Sequence, residues 1–185
     1  MTTAIIREKG AKQLKTFTAS KGFVTNPQYA QSREDTISAL DLNCIDEPIV
    51  EIVSAFANLT YCFPLQSCFG HFVCTPEKDT HTLSPIPKWY TGSVRYRIAY
   101  IALCIENNSN GQILHESLAK IPALDPAYIQ FGSADWFWER FVNSYVLQVE
   151  PAGHMGQDEA ILDAKEARHV QMVRDLFFME LKKNC

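Results

Sequence analysis

Apolar residues recur along this chain in two rhythms, and each rhythm predicts its own kind of element. Ile49, Val50, Ile52, Val53, Phe56 and Ala57 fall at helical spacing and predict a helix over 47–58. Asp46 reads as its N-cap, with Glu47 and Pro48 in the first turn, where an anion and a missing N–H are both tolerated. Shorter helical patterns cover 33–42, with Ile37, Ala39 and Leu40 inward, and 4–18, where Ile6, Gln13, Leu14 and Phe17 make only a thin stripe. Ile113, Leu114, Leu118 and Ile121 share a helical face that ends at Pro122. Trp136, Phe137, Phe141 and Val142 begin another helix after the turn Gly132–Asp135. The spacing of Leu162, Val170, Val173, Leu176, Phe177 and Leu181 predicts a long final helix over about 158–182.

The second rhythm is that of strands. Val94, Tyr96, Ile98 and Tyr100 alternate with Arg95 and Arg97, and from Ile98 to Ile105 both faces are apolar, so 94–106 reads as one central strand. Thr60, Tyr61 and Phe63 suit a strand that Pro64 interrupts and that Phe72-Val73-Cys74 resumes after an irregular turn around Ser67–His71. Residues 128–131 and 145–150 add two more. Residues 75–93, with Pro76, Pro85 and Pro87, read as a long loop of the kind that forms lids and binding loops.

Helices and strands in this order give neither strict β–α alternation nor an all-β pattern. The expectation is a single α+β domain over 1–185, with a mixed or mainly antiparallel sheet, helices packed on it and a long C-terminal helix. A hydrophobic content of 46% leaves ample material for a core. No apolar run approaches the roughly 20 residues of a membrane span, and the N-terminus becomes charged too early for a signal peptide. These features point to the cytoplasm and away from a membrane. There, six cysteines are free thiols, metal ligands or catalytic groups rather than disulfides. The net charge of −4 is uneven: Arg7, Lys9, Lys12, Lys15 and Lys21 face only Glu8 in residues 1–22, and the remainder is acidic. The basic segment is either a solvated helix face or a contact for RNA, but the whole chain lacks the charge of a nucleic-acid binder. Neither a G-x-G-x-x-G nor a P-loop is present.

Candidate chemistry concentrates between Tyr61 and Cys74. Cys68, flanked by Ser67 and Gly70, reads either as a thiol nucleophile assisted by His71 or His154, or as a buried space-filling residue. Cys62, Cys68, His71 and Cys74 offer a zinc alternative. An extended strand would point Cys68 and His71 to opposite faces, so that alternative requires a tight turn between them. A second polar focus is Gln148, Glu150 and His154, where a strand meets a Gly-containing loop: His154 could act as a base oriented by Glu150. Trp89 and Trp136 offer flat surface for a ligand, or else anchor their segments.

Asn58 followed by Gln66-Ser67-Cys68-Phe69-Gly70-His71 resembles the S-S-C-S-G-R signature of the Tyw3-type wybutosine-synthesis tRNA methyltransferases, and 46–58 matches the helix before it. Glu150-Pro151 and His154 resemble that family's later E-P…H element. Gln66, Phe69 and His71 depart from the signature, His71 standing where the family has arginine. The resemblance implies a pocket for S-adenosylmethionine and a tRNA guanosine derivative, with Ser67, Cys68 and Gly70 in it and His154 nearby. The expected function is thus a small enzyme with a Cys/His/Ser-lined pocket, transferring a methyl group to a nucleoside or RNA. The competing expectations are a non-catalytic ligand-binding or protein-interaction domain and a Cys/His zinc protein.

Overall fold

The structure, a computed structural model, describes residues 19–154 and 156–185. The helix expected over 4–18 lies outside them. Among the described residues, two antiparallel sheets and five α-helices make up an α+β fold. The larger sheet is built from β1 (Cys62–Cys68), β4 (Ala99–Ile105), β6 (Ser144–Val149) and β5 (Ile129–Ser133), in that spatial order. The smaller one is β2 (His71–Cys74), β3 (Ser93–Arg97) and β7 (Glu159–Asp163).

One bent hairpin joins the two sheets. β1 pairs with β4 and β2 pairs with β3, so both arms leave one sheet and enter the other, at Phe69–Gly70 and at Ile98. The single strand expected over 94–106 is therefore two strands in two sheets. The reason is a tertiary contact: Ile98 steps out of both ladders and gives its N–H to the Asp158 carbonyl instead, at 3.1 Å. Pro64 does not interrupt β1. The strand lies at a sheet edge and carries an irregularity between Pro64 and Gln66, which is how an edge strand accommodates a residue without an N–H. The turn expected over Ser67–His71 shrinks to Phe69 and Gly70.

Helices cover one side of the larger sheet. α2 (Val50–Asn58) follows a short 3-10 turn over Glu47–Ile49 and packs Ile52, Val53 and Phe56 against Ile101, Leu103 and Ile105. α3 (Ser109–Leu118) and α5 (Ala164–Leu181) complete this core with Leu114, Leu118, Val170, Val173 and Phe177, all buried. On the opposite side α1 (Tyr29–Ser38) lays Tyr29 on Phe63, with ring centroids 5.5 Å apart, and Phe141 closes on the same ring. The short α4 (Asp135–Trp138) adds Phe137 against Ala102 and Val146. It stops earlier than the aromatic spacing predicts, because the chain turns back at Asn143, whose φ is +64°, to enter β6.

The final helix also starts later than expected. Glu159–Asp163 forms β7, with Ala160 and Leu162 buried between exposed neighbours, a period of two that a helical reading overlooks. Asp163 then caps α5, accepting from the N–H groups of Lys165 at 2.8 Å and Glu166 at 2.9 Å. No described helix is long and apolar enough to cross a membrane.

Candidate functional site

The hairpin bend gathers three chemically capable side chains. Antiparallel pairing sets Cys68 opposite Tyr100, and Tyr100 opposite Gln148, so these three share the face of the larger sheet that turns away from α2. The bend at Phe69–Gly70 then reverses the usual alternation and brings His71 back to the Cys68 side. Asp46 enters from the chain just ahead of the Glu47–Ile49 turn. The ligand atoms of Asp46, Cys68 and His71 all lie within 4.8 Å of one another.

Each of the three is held by backbone. His71, only 2% exposed, sets Nδ1 at 3.3 Å from the Thr82 carbonyl and Nε2 at 3.4 Å from Asp46 Oδ2. The same Asp46 oxygen accepts the Phe69 N–H at 2.8 Å. Cys68 Sγ accepts the Gly70 N–H at 3.4 Å. Hydrogen bonding to Asp46 and then to Cys68 outweighs burial and raises the His71 pKa from 6.5 to about 10. Burial pushes the Asp46 carboxyl upward, but the bonds from His71 and the Phe69 N–H prevail and leave it below the usual carboxylate value. His81, on the 75–92 loop, stands beside His71 with ring centroids 5.4 Å apart.

The bend itself is fixed from behind. Gly70 has φ +88°, and a Cβ there would stand 2.7 Å from the Ala99 Cβ. The Gly70 carbonyl accepts from Arg174 Nη1 at 2.9 Å, and the same guanidinium lies 3.9 Å from the Phe69 ring centroid. Gly70 thus lets Ala99 approach the backbone closely.

Other sequence candidates fall elsewhere. Ser67 pairs with Ile101 and so faces the helix-covered side, opposite to Cys68, because neighbours in a strand point to opposite faces. Cys62 is also on that side, sealed in the core with its thiol on the Phe56 carbonyl. Cys74 closes the far end of β2, opposite Val94. Of the expected zinc set only Cys68 and His71 meet, and Asp46 joins them. Glu150 shares a face with Gln148 but does not orient His154. Its carboxylate is fully buried and taken up by Gln148 Nε2, at 2.5 Å, and by the N–H groups of Gly156 and Gln157. It clamps the loop beyond β6, on which His154 sits in a short 3-10 turn, outside the Asp46–Cys68–His71 cluster. Burial raises the Glu150 pKa, partly offset by those three donors.

Trp89 is 79% exposed, while its neighbours anchor the long loop: Ile86 and Tyr90 are buried, and Tyr90 OH reaches the Ser93 carbonyl at 2.8 Å. Trp136 is 57% exposed, beside Phe137, which packs near Tyr100. By its sequence context Asp46 reads only as a helix cap. In the structure its side chain makes no cap bond and turns to Phe69 and His71 instead. Arg174 left one signal, a charge among Val170, Val173 and Phe177 on the buried face of α5.

An open cleft lined by Tyr29, Arg33, Glu34 and Glu106 lies by α1, toward the Cys62 end of β1 and away from Cys68. Its cation, Arg33, is already engaged with the carbonyls of Ala57, Leu59 and Cys62. The chemistry therefore centres on the hairpin bend.

The sequence matches no protein-family model and no curated protein. Among solved structures, the chain is similar to the PH1069 protein from Pyrococcus horikoshii, at 10% identity over 85% of this chain and 92% of that one, with a TM-score of 0.48. It is also similar to a hypothetical protein from Aeropyrum pernix, at 10% identity over 76% of this chain and 100% of that one, with a TM-score of 0.37. Neither likeness carries an argument about function.

Proposed function

We propose that the protein is a small cytoplasmic enzyme that transfers a methyl group from S-adenosylmethionine to a nucleoside or RNA, on the sheet face bearing Cys68, Tyr100 and Gln148. One observation supports this reading. The two segments that resemble the methyltransferase family are far apart in sequence, yet they end on the same sheet face. Cys68 pairs with Tyr100, Tyr100 with Gln148, and Glu150 follows two residues on. Two distant motifs that converge on one face are what a shared pocket requires. Tyr100 is half-buried and presents a ring to that face, and exposed Trp136 stands beside Phe137 at its margin. Both suit stacking on a base or adenine ring. Glu150 acts here by accepting from the Gly156 and Gln157 N–H groups, which ties the chain beyond β6 to the sheet.

The test is calorimetric titration with S-adenosylhomocysteine, followed by transfer of labelled methyl from S-adenosylmethionine to bulk tRNA. The expected result is saturable binding that Gln148→Ala and Tyr100→Ala weaken, with label incorporated into RNA. No binding at about 1 mM, a free energy weaker than about −4 kcal/mol, would overturn the reading.

A second reading, a non-catalytic interaction domain, has one observation in its favour. Met172, Leu176 and Met179 lie at spacings of four and three on α5, and each is exposed, at 52%, 43% and 55%. A self-association or pull-down that disappears with Leu176→Glu, together with no ligand binding, would favour it.

A further inference from the structure

We infer that Asp46, Cys68 and His71 form a binding site for a zinc-type divalent ion, with three protein ligands and a fourth position open. The inference stands apart from the transferase reading and needs no adenosyl ligand. Its first ground is the donor set. One sulfur, one imidazole nitrogen and one carboxylate oxygen converge within 4.8 Å, and this mixture suits Zn2+ rather than the oxygen-only preference of Mg2+ or Ca2+. Its second ground is spacing. Two donors that each stand about 2.0–2.1 Å from a tetrahedral ion are about 3.4 Å apart, and His71 Nε2 is 3.4 Å from Asp46 Oδ2.

The third ground is the support behind each ligand. A ligating histidine usually gives its other ring N–H to a carbonyl or carboxylate, which fixes the tautomer and aims the free nitrogen. His71 Nδ1 faces the Thr82 carbonyl in this way. Asp46 is oriented by the Phe69 N–H and Cys68 by the Gly70 N–H. A Cys-His-Asp catalytic triad would divide the two imidazole nitrogens between thiol and carboxylate. Here Nδ1 is committed to Thr82 and Nε2 faces Asp46, and the ligand atoms of all three groups lie within 4.8 Å of one another, so they gather around one point instead of forming a relay.

On binding, Cys68 enters as thiolate, Asp46 as carboxylate and His71 as neutral imidazole, each donating a lone pair to the ion while the protons displaced pass to solvent. Two anionic ligands balance its charge. Three protein ligands with one position left for water or substrate is the pattern of a catalytic rather than a structural zinc site.

The test uses the full chain with exposed Cys44 and Cys185 changed to serine, which removes surface thiols from the measurement. Protein stripped with a chelator is titrated with Zn2+ against a colorimetric competitor, and in parallel with Co2+ alone. The expected result is one ion per chain, with a sulfur-to-cobalt charge-transfer band and tetrahedral visible absorption. Asp46→Asn, which keeps an acceptor for the Phe69 N–H and hence the fold, should weaken binding by more than the roughly 10- to 100-fold that loss of an outer-shell partner costs. Cys68→Ser should abolish the charge-transfer band, with folding checked by circular dichroism. No stoichiometric ion, or binding unchanged by both Asp46→Asn and Cys68→Ser, would overturn the assignment. Adenosyl-ligand titration of the same stripped protein reads the transferase proposal separately, so either can fail alone.

Discussion

Gly70 and Ala99 meet at the point where the bent hairpin passes from one sheet to the other, and a Cβ on Gly70 would sit 2.7 Å from that of Ala99. With φ at +88°, Gly70 also occupies backbone space that other residues enter only with strain. Gly70→Ala is therefore expected to cost about 2–4 kcal/mol, combining the left-handed backbone with overpacking. Urea denaturation measures it. The double variant Gly70→Ala/Ala99→Gly should recover the steric part only, and full recovery would show that φ matters little here.

Arg174 is the brace behind that bend. Its guanidinium donates to the Gly70 carbonyl at 2.9 Å and lies over the Phe69 and Phe72 rings at 3.9 Å and 5.1 Å. Arg174→Met keeps much of the apolar stem but leaves a buried carbonyl unpaired, so we expect a loss of about 2–4 kcal/mol. Arg174→Lys should recover only part of it, since an ammonium cannot both stack and donate in the same plane. Equal stability for all three proteins would contradict the brace.

At the far end of β1, Arg33 ties α2 to the sheet. It donates to the carbonyls of Ala57 at 2.7 Å, Leu59 at 3.1 Å and Cys62 at 3.4 Å, which are the last turn of the helix and the start of the strand. Those acceptors have no further helical N–H to meet. Arg33→Ala is expected to destabilise the protein by about 1.5–3 kcal/mol in denaturant unfolding. Amide exchange should quicken first at 57–62, and a uniform increase across the chain would argue against a local tie.

Glu150 makes its own contribution to the pH dependence of stability. Burial raises its folded pKa above the ordinary 4.5, beyond what Gln148 and the Gly156 and Gln157 N–H groups offset. The proton it keeps on folding contributes stability that is fully present below about pH 4.5 and is lost as pH rises through the higher folded value. Glu150→Gln removes this loss while keeping an acceptor for the loop. The melting temperature of the variant should therefore gain on the native protein as pH rises from 4.5 toward neutrality, and the two should converge in acid. A gap independent of pH would mean that the carboxyl ionises as freely in the fold as outside it.

Side-chain order along the chain is enough to tell which segments bury apolar surface. The helical spacing from Ile49 to Ala57 and the alternation after Val94 are local properties, fixed by side-chain order and by the periods of helix and strand. The α+β class followed from them. Tertiary structure alone decided where a continuous pattern breaks. Residues 94–106 read as one strand because Ile98 is as apolar as its neighbours, yet Ile98 bonds to Asp158 and the strand divides between two sheets. Glu159–Asp163 became a strand because β3 offered an open edge, a partner that no window around residue 160 contains. The same holds for the site. Ser67 was lost to it by simple alternation, which a firm strand assignment would have revealed. Asp46 joined it only because the Phe69–Gly70 bend brings a backbone N–H and the His71 ring within reach of its carboxylate. That approach depends on the path of the chain between distant residues and leaves no trace in their order.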